Sequence, residues 1–134
     1  MIFSHRKMED DVIAAIKEIS GEEVRACYQC GKCTAGCPMA STMDLMPNQV
    51  LRLIQVGEYE QALQSRTIWQ CASCLTCAGR CPKEVDPARV MDALRTLLLR
   101  KGAVHVELSS IPADVLTEAP QQALIGGFRK YVGY

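Results

Sequence analysis

All eight cysteines of this chain fall into two runs of one pattern: Cys27, Cys30, Cys33 and Cys37 followed by Pro38, and Cys71, Cys74, Cys77 and Cys81 followed by Pro82. Every member of the second run lies 44 residues after its counterpart. The C-x2-C-x2-C-x3-C-P spacing is that of a cubane iron–sulfur centre, so the two runs imply two [4Fe–4S] clusters and the chemistry of electron transfer.

A cubane needs four thiolates around one small inorganic core, and gaps of two residues let a turn of backbone aim three sulfurs at it. The fourth cysteine points away from its own loop and, in chains with two such runs, ligates the other cluster. The expected ligand sets are therefore Cys27, Cys30, Cys33 and Cys81 for one cluster, and Cys71, Cys74, Cys77 and Cys37 for the other.

Two rival uses of the thiols fit less well. A disulfide framework suits small secreted chains, yet the first seven residues, MIFSHRK, lead into the acidic Glu9-Asp10-Asp11 with no apolar signal core. Zinc favours two C-x2-C pairs, whereas three evenly spaced cysteines and a fourth after x3 would crowd each knuckle. With all eight thiols given to metal, none remains as a nucleophile, which argues against chemistry on an organic substrate within this chain.

At 134 residues and 49% hydrophobic content a core is possible, but Trp69, four tyrosines and two phenylalanines are its whole aromatic supply, so the clusters are expected to substitute for part of it. No apolar run approaches the roughly 20 residues that span a bilayer, and the expectation is a cytoplasmic protein with no membrane span. The net charge of zero hides an asymmetry: residues 1 to 24 carry six acids against three bases, and residues 66 to 101 carry seven bases against three acids. Arg66, Arg80, Lys83, Arg89, Arg95, Arg100 and Lys101 are read as a solvated helix face, as local neutralisation of the second cluster, or as a docking surface for an acidic partner, not as a nucleic-acid footprint.

The elements that must position the cysteines read as helices. Met8, Val12, Ile13, Ile16 and Ile19 recur at three- and four-residue steps and predict a helix over 5–19. Ser20 to Glu23 has the form of a capping box that would start a short helix delivering Val24, Arg25 and Ala26 to the first loop. Pro47 suits a first helical position, Val50, Leu51 and Ile54 form a stripe that Gly57 terminates, and Tyr59 to Gln64 reads as another helix. Asp86 as N-cap, Pro87 at the first position and a stripe of Val90, Met91, Leu94, Leu97 and Leu98 predict a last helix ending before Gly102. No stretch between Cys37 and Cys71 alternates with period two, which disfavours a β-rich small ferredoxin.

Several other residues sit close to the runs. Lys32, Arg80, Thr34 and Ser73 are candidates for tuning potential or simply filling the loops. Trp69 and Tyr28 flank cysteines and are expected to exclude water by packing on the clusters. Met39, Met43 and Met46 read as adaptable packing beside them, and Pro38 and Pro82 as stiffeners of each loop's exit. His5 and His105 have no partner at ligand spacing.

The segments CYQCGKCTAGCP (27–38), PNQV (47–50), WQCASC (69–74), Cys81-Pro82 and MDALR (91–95) resemble the C subunit of heterodisulfide reductase, over about 20–102. The resemblance implies an α-helical ferredoxin fold holding two [4Fe–4S] clusters on the eight cysteines, in a domain at 1–102 with a tail at 103–134. It further implies a hetero-oligomer in which electrons pass through this chain from the A subunit, a flavin- and cluster-bearing protein, to the disulfide-reducing B subunit, which is built on cysteine-rich repeats. Nothing like those repeats occurs here. The tail, with Leu124, Ile125, Phe128 and Tyr131, either packs on its own domain or docks on a neighbouring subunit. Two other readings are a freely diffusing two-cluster ferredoxin, for which stronger net charge would be expected, and the iron–sulfur subunit of a dehydrogenase.

Overall fold

A computed structural model of the chain describes residues 10–132; the first turn of the helix read from residue 5, with Met8 and His5, lies outside them. Among the described residues there is no strand, and the fold is mainly α and ferredoxin-like. Its helices are α1 (Asp10–Ser20), α2 (Lys32–Ala35), α3 (Pro47–Gln55), α4 (Tyr59–Gln64), α5 (Thr67–Gln70), α6 (Thr76–Gly79), α7 (Pro87–Arg100), α8 (Ala113–Glu118) and α9 (Gln121–Tyr131). None is long and apolar enough to cross a membrane.

The described chain divides into two compact units, one reaching Leu94 and the other starting at Arg95, so that α7 begins in the first and ends in the second. In the first unit Ile16 of α1, Val50, Leu51 and Ile54 of α3, Ala62 of α4 and Ile68 and Trp69 of α5 are buried, together with Val90, Met91 and Leu94 of α7. α3 and α7 repeat one motif. Each opens on a proline, Pro47 and Pro87, followed by Val50, Leu51 and Ile54 or by Val90, Met91 and Leu94 at the same steps, all 1% exposed or less. The fixed φ of proline and its missing N–H suit a first helical turn, and the stripe that follows faces the core.

Capping explains most of the boundaries. Asp86 Oδ1 accepts the N–H groups of Ala88 (2.8 Å) and Arg89 (3.3 Å), so the predicted N-cap of α7 forms. Gly57 and Gly102, at φ 84° and 82°, end α3 and α7 in the left-handed conformation that glycine adopts without a Cβ clash. The capping box at Ser20 does not form: Ser20 ends α1, its hydroxyl donating to Ile16 O at 2.6 Å and accepting the Glu22 N–H at 3.1 Å. Glu23 instead caps the single 3-10 turn Val24–Ala26, accepting the Arg25 N–H.

In the second unit, α8 and α9 contain no fully buried residue. The His105 N–H donates to Tyr131 O at 3.0 Å, their rings stand 5.8 Å apart, and Lys130 Nζ lies 5.2 Å from the centre of the Tyr131 ring. Of the seven basic residues between 66 and 101, Arg95 is buried at 2% exposure and the other six are exposed, so the solvated-face reading fails at Arg95 alone.

Candidate metal centre

The 44-residue repeat of the cysteines is a repeat of backbone conformation. Cys27 and Cys71 each follow a helical turn and are extended, at φ −69°, ψ 120° and φ −58°, ψ 117°. Gln29 and Gly31 in the first loop have φ 62° and 76°; Ser73 and Leu75, in the same places of the second, have φ 53° and 60°. Two left-handed residues per loop reverse the chain between successive cysteines. α2 and α6 follow at matching positions, with Cys37 N–H bonded to Thr34 O and Cys81 N–H to Ala78 O, both at 3.1 Å. A final turn, Ala40 N–H to Cys37 O (3.3 Å) and Glu84 N–H to Cys81 O (3.2 Å), takes the chain past each proline.

The thiols repeat electrostatically as well. The N–H of Lys32 holds the exposed Cys30 thiol below its ordinary value, with the Tyr28 hydroxyl adding to it. At Cys74, also exposed, the Thr76 hydroxyl, 3.4 Å from Sγ, and the Thr76 N–H do the same. Burial pushes the Cys33 thiol up, and pushes that of Cys77 up to about 11. Each loop thus pairs an exposed thiol that hydrogen bonds lower with a more buried thiol that desolvation raises.

A small, half-open cavity of about 20 Å³ lies at the second loop. Its wall carries Cys71, Cys74 and Cys77 of the second run together with Cys37 of the first, and Cys81 is not part of it. Met39, Met43, Leu75 and Met91 give the wall its apolar character. Among the described residues no three Cys, His, Asp or Glu side chains converge on a single-ion point. Four thiols around one small, mostly apolar cavity are a donor set for a polynuclear sulfide core, and the residues present fit a [4Fe–4S] cluster. At the first loop, the Tyr28 hydroxyl bonds the Cys30 sulfur, and Cys81 and Cys27 lie near enough to add their charge to it.

Several residues beside the runs stand where spacing alone did not place them. Tyr28 is 57% exposed with its hydroxyl on the Cys30 sulfur, whereas Trp69 is buried at 9% exposure. Met39 and Met43 line the cavity, but Met46 ends up as the N-cap of α3, its N–H held by Gln49 Oε1 at 2.8 Å. Unforeseen is a chain of polar side chains at the first loop. Gln29 Nε2 points at Cys27 Sγ (3.5 Å) and at Gln55 Oε1 (3.5 Å), and Asn48 Nδ2 donates to Gln29 Oε1 (3.4 Å). Also unforeseen is Asp44, whose carboxylate accepts the N–H groups of Arg66 and Thr67 (both 2.9 Å) and the Thr67 hydroxyl (2.8 Å), fixing the start of α5 that delivers Cys71.

Comparison with known proteins agrees with this geometry. The family model of a 4Fe–4S dicluster domain matches residues 26–86. The iron–sulfur C 2 subunit of the CoB–CoM heterodisulfide reductase of Methanocaldococcus jannaschii is 35% identical over 102 residues, covering 73% of this chain and 54% of the relative. The iron–sulfur C subunit of the same reductase in Methanopyrus kandleri is 37% identical over 79 residues, 59% of this chain and 41% of the relative. A protein of Archaeoglobus profundus like the heterodisulfide reductase C subunit is 31% identical over 99 residues, 73% and 53% respectively. The chain spans about half the length of the curated relatives it matches.

Proposed function

Because the chain belongs to the C-subunit family of heterodisulfide reductases, as an iron–sulfur electron-transfer protein with two [4Fe–4S] clusters, we propose that it relays single electrons within a cytoplasmic hetero-oligomer. Its partners there are the flavin-containing A subunit on one side and, on the other, the cysteine-rich B subunit, which reduces the disulfide. When bound, each cluster supplies a one-electron change of charge, with no bond made or broken in this chain. The protein's own residues hold, shield and connect. Cys27, Cys30, Cys33 and Cys81 hold one cluster, and Cys71, Cys74, Cys77 and Cys37 the other. The observation that carries this reading is the cavity whose wall joins Cys37 to the three leading cysteines of the other run.

Crossing the fourth ligand ties the loops into one rigid unit and keeps the two redox centres at a fixed separation. Leu75, Met43 and Met91 exclude water around the second, which limits solvent reorganisation when its charge changes. We assign the ferredoxin domain to 1–102 and a docking role to the tail at 103–134. Support for the latter comes from Val115 and Leu116 of α8 and Ile125 of α9, which are 43%, 43% and 46% exposed on helices that bury nothing fully.

Anaerobic purification of the native protein tests the assignment. It is expected to bring down a flavoprotein and a cysteine-repeat protein, with iron for two clusters in this chain. A 14.8 kDa monomer that serves several unrelated enzymes would replace it with the diffusing-carrier reading. The ligand partition has its own test: Cys37→Ala should cost the cluster of Cys71, Cys74 and Cys77 and spare its neighbour, and the reverse loss would refute crossing.

A further inference from the structure

We propose that Gln29 donates an amide N–H to Cys27 Sγ, is held there by Asn48, Thr34 and Gln55, and makes the cluster of the first loop the more easily reduced of the two. This inference rests on the two-cluster reading but not on any partner subunit.

The direction of every amide in the chain follows from its anchors. Gln55 Nε2 donates to two backbone carbonyls, Val24 O at 2.9 Å and Cys27 O at 2.7 Å, which turns its Oε1 toward Gln29. At the other end, the Thr34 hydroxyl accepts the Asn48 backbone N–H at 3.3 Å, so its proton goes to Asn48 Oδ1 at 2.6 Å. That leaves Asn48 Nδ2 to donate to Gln29 Oε1, and Gln29 Nε2 to face the sulfur and Gln55 Oε1 together. Flipping Gln29 would set carbonyl oxygen against both Gln55 Oε1 and the thiolate, and nitrogen against the Asn48 amide nitrogen. Gln29 itself sits at φ 62°, a conformation that costs a non-glycine residue and is tolerated where surrounding contacts over-determine it.

A donor aimed at a ligand sulfur stabilises the reduced, more negative cluster more than the oxidised one and raises its potential. The second loop has no amide at the corresponding places. Ser73 stands for Gln29, Ala78 for Thr34 and, in the matching turn of α7, Ala88 for Asn48. Its buried neighbour is instead the Asp86 carboxylate, close enough to bear on Cys77. Hydroxyl and backbone donors serve both loops, but only the first adds an amide and only the second a carboxylate; that difference separates two otherwise similar sites, with the first loop as the lower-energy resting place for an electron.

An EPR-monitored redox titration of the full chain holding both clusters reads this directly. Gln29→Leu is expected to lower the higher of the two midpoints and leave the lower one unmoved. Asn48→Ala, which frees the Gln29 amide without touching the sulfur, should shift the same midpoint by a smaller amount. If Gln29→Leu fails to retain iron for two clusters, Asn48→Ala and Thr34→Val carry the test by the same criterion. An unmoved higher midpoint, or a shift confined to the lower one, overturns the proposal. Fewer than two clusters in the unaltered chain would instead overturn the two-cluster reading.

Discussion

The Arg80 side chain lies across Gly36, its repeat partner 44 residues earlier: a Cβ built at Gly36 would stand 2.5 Å from Arg80 Cδ and 2.7 Å from Nε and Nη1. Equivalent positions of a duplicated loop meet only where the two copies face each other, and α2 and α6 do so here. The same facing arrangement brings Cys37 to the wall of the second-loop cavity. Gly36 has φ −103°, so its lack of a side chain serves the close approach of Arg80 and not an unusual backbone.

With clusters bound at both loops, the Arg80 guanidinium, held where α2 meets α6, would favour reduction of both. Arg80→Ala is expected to lower both midpoints together, in contrast to the single shift expected of Gln29→Leu. Gly36→Ala displaces the same charge without removing it and should give a smaller shift of the same sign, with stability changed by no more than about 1 kcal/mol because the flexible arginine can swing aside. Redox titration and thermal unfolding of the two variants check this pair of outcomes. A shift in only one midpoint would place Arg80 with a single loop.

Asp44 predicts an acid-sensitive link between the loops. Burial alone would push its carboxyl up, but the Arg66 N–H, the Thr67 hydroxyl and the Thr67 N–H outweigh it and hold the group at about 2, below its ordinary 3.8. A carboxyl depressed by folding contributes stability above its unfolded value and loses it as pH falls toward the folded one. Discounted for its 32% side-chain exposure, that contribution is about 1–2 kcal/mol. Asp44→Asn should therefore unfold more easily than the wild type by about this amount at pH 7, and the difference should shrink between pH 3.8 and about 2. A difference independent of pH would mean that hydrogen-bond geometry alone is responsible.

Much of the framework was legible because it depends on local chemistry. Cysteine spacing announces the clusters, and Pro47, Asp86 and Pro87 mark helix starts through groups that act within one turn. α4 is also found where its residues put it, at Tyr59–Gln64. By contrast, α2, α5 and α6 have four residues each, too few for any periodicity to register. Of the four left-handed positions in the two loops, glycine announces Gly31, but nothing about Gln29, Ser73 or Leu75 as residue types announces the others. Ser20 and Glu23 show a pattern satisfied in another way, since a serine at a helix end can bond back to its own turn. The repeat of α3 in α7 was hidden by four residues fewer after the second cysteine run, and the Asp44 and Gln29 contacts span separations that carry no sequence signal.

Leu75 combines strain with exposure. It holds φ 60° where its repeat partner is Gly31, is 53% exposed, and also lines the second-loop cavity. A left-handed leucine costs roughly 1–2 kcal/mol relative to the right-handed form, and its retention is explained by the apolar wall it gives that cavity. Leu75→Gly should leave thermal stability unchanged or higher while the visible iron–sulfur absorbance bleaches faster in air. Equal bleaching rates would remove the shielding role.

Asp86 joins stability and potential in one side chain, and substitution separates them. Its Oδ1 caps α7, its Oδ2 stands 3.7 Å from Arg89 Nε, and its N–H is held by Glu22 at 3.0 Å. Asparagine caps a helix about as well as aspartate, so Asp86→Asn should lose only the exposed Arg89 pair, worth up to about 1 kcal/mol, whereas Asp86→Ala also forfeits the cap at about 1 kcal/mol more. Both variants remove a negative charge beside Cys77 and should raise the lower midpoint alone, by similar amounts despite their different stabilities. If the shift instead followed stability, larger for alanine than for asparagine, it would report loosening of the second loop. A charge effect that is the same for both variants is what the proximity of the carboxylate to Cys77 requires.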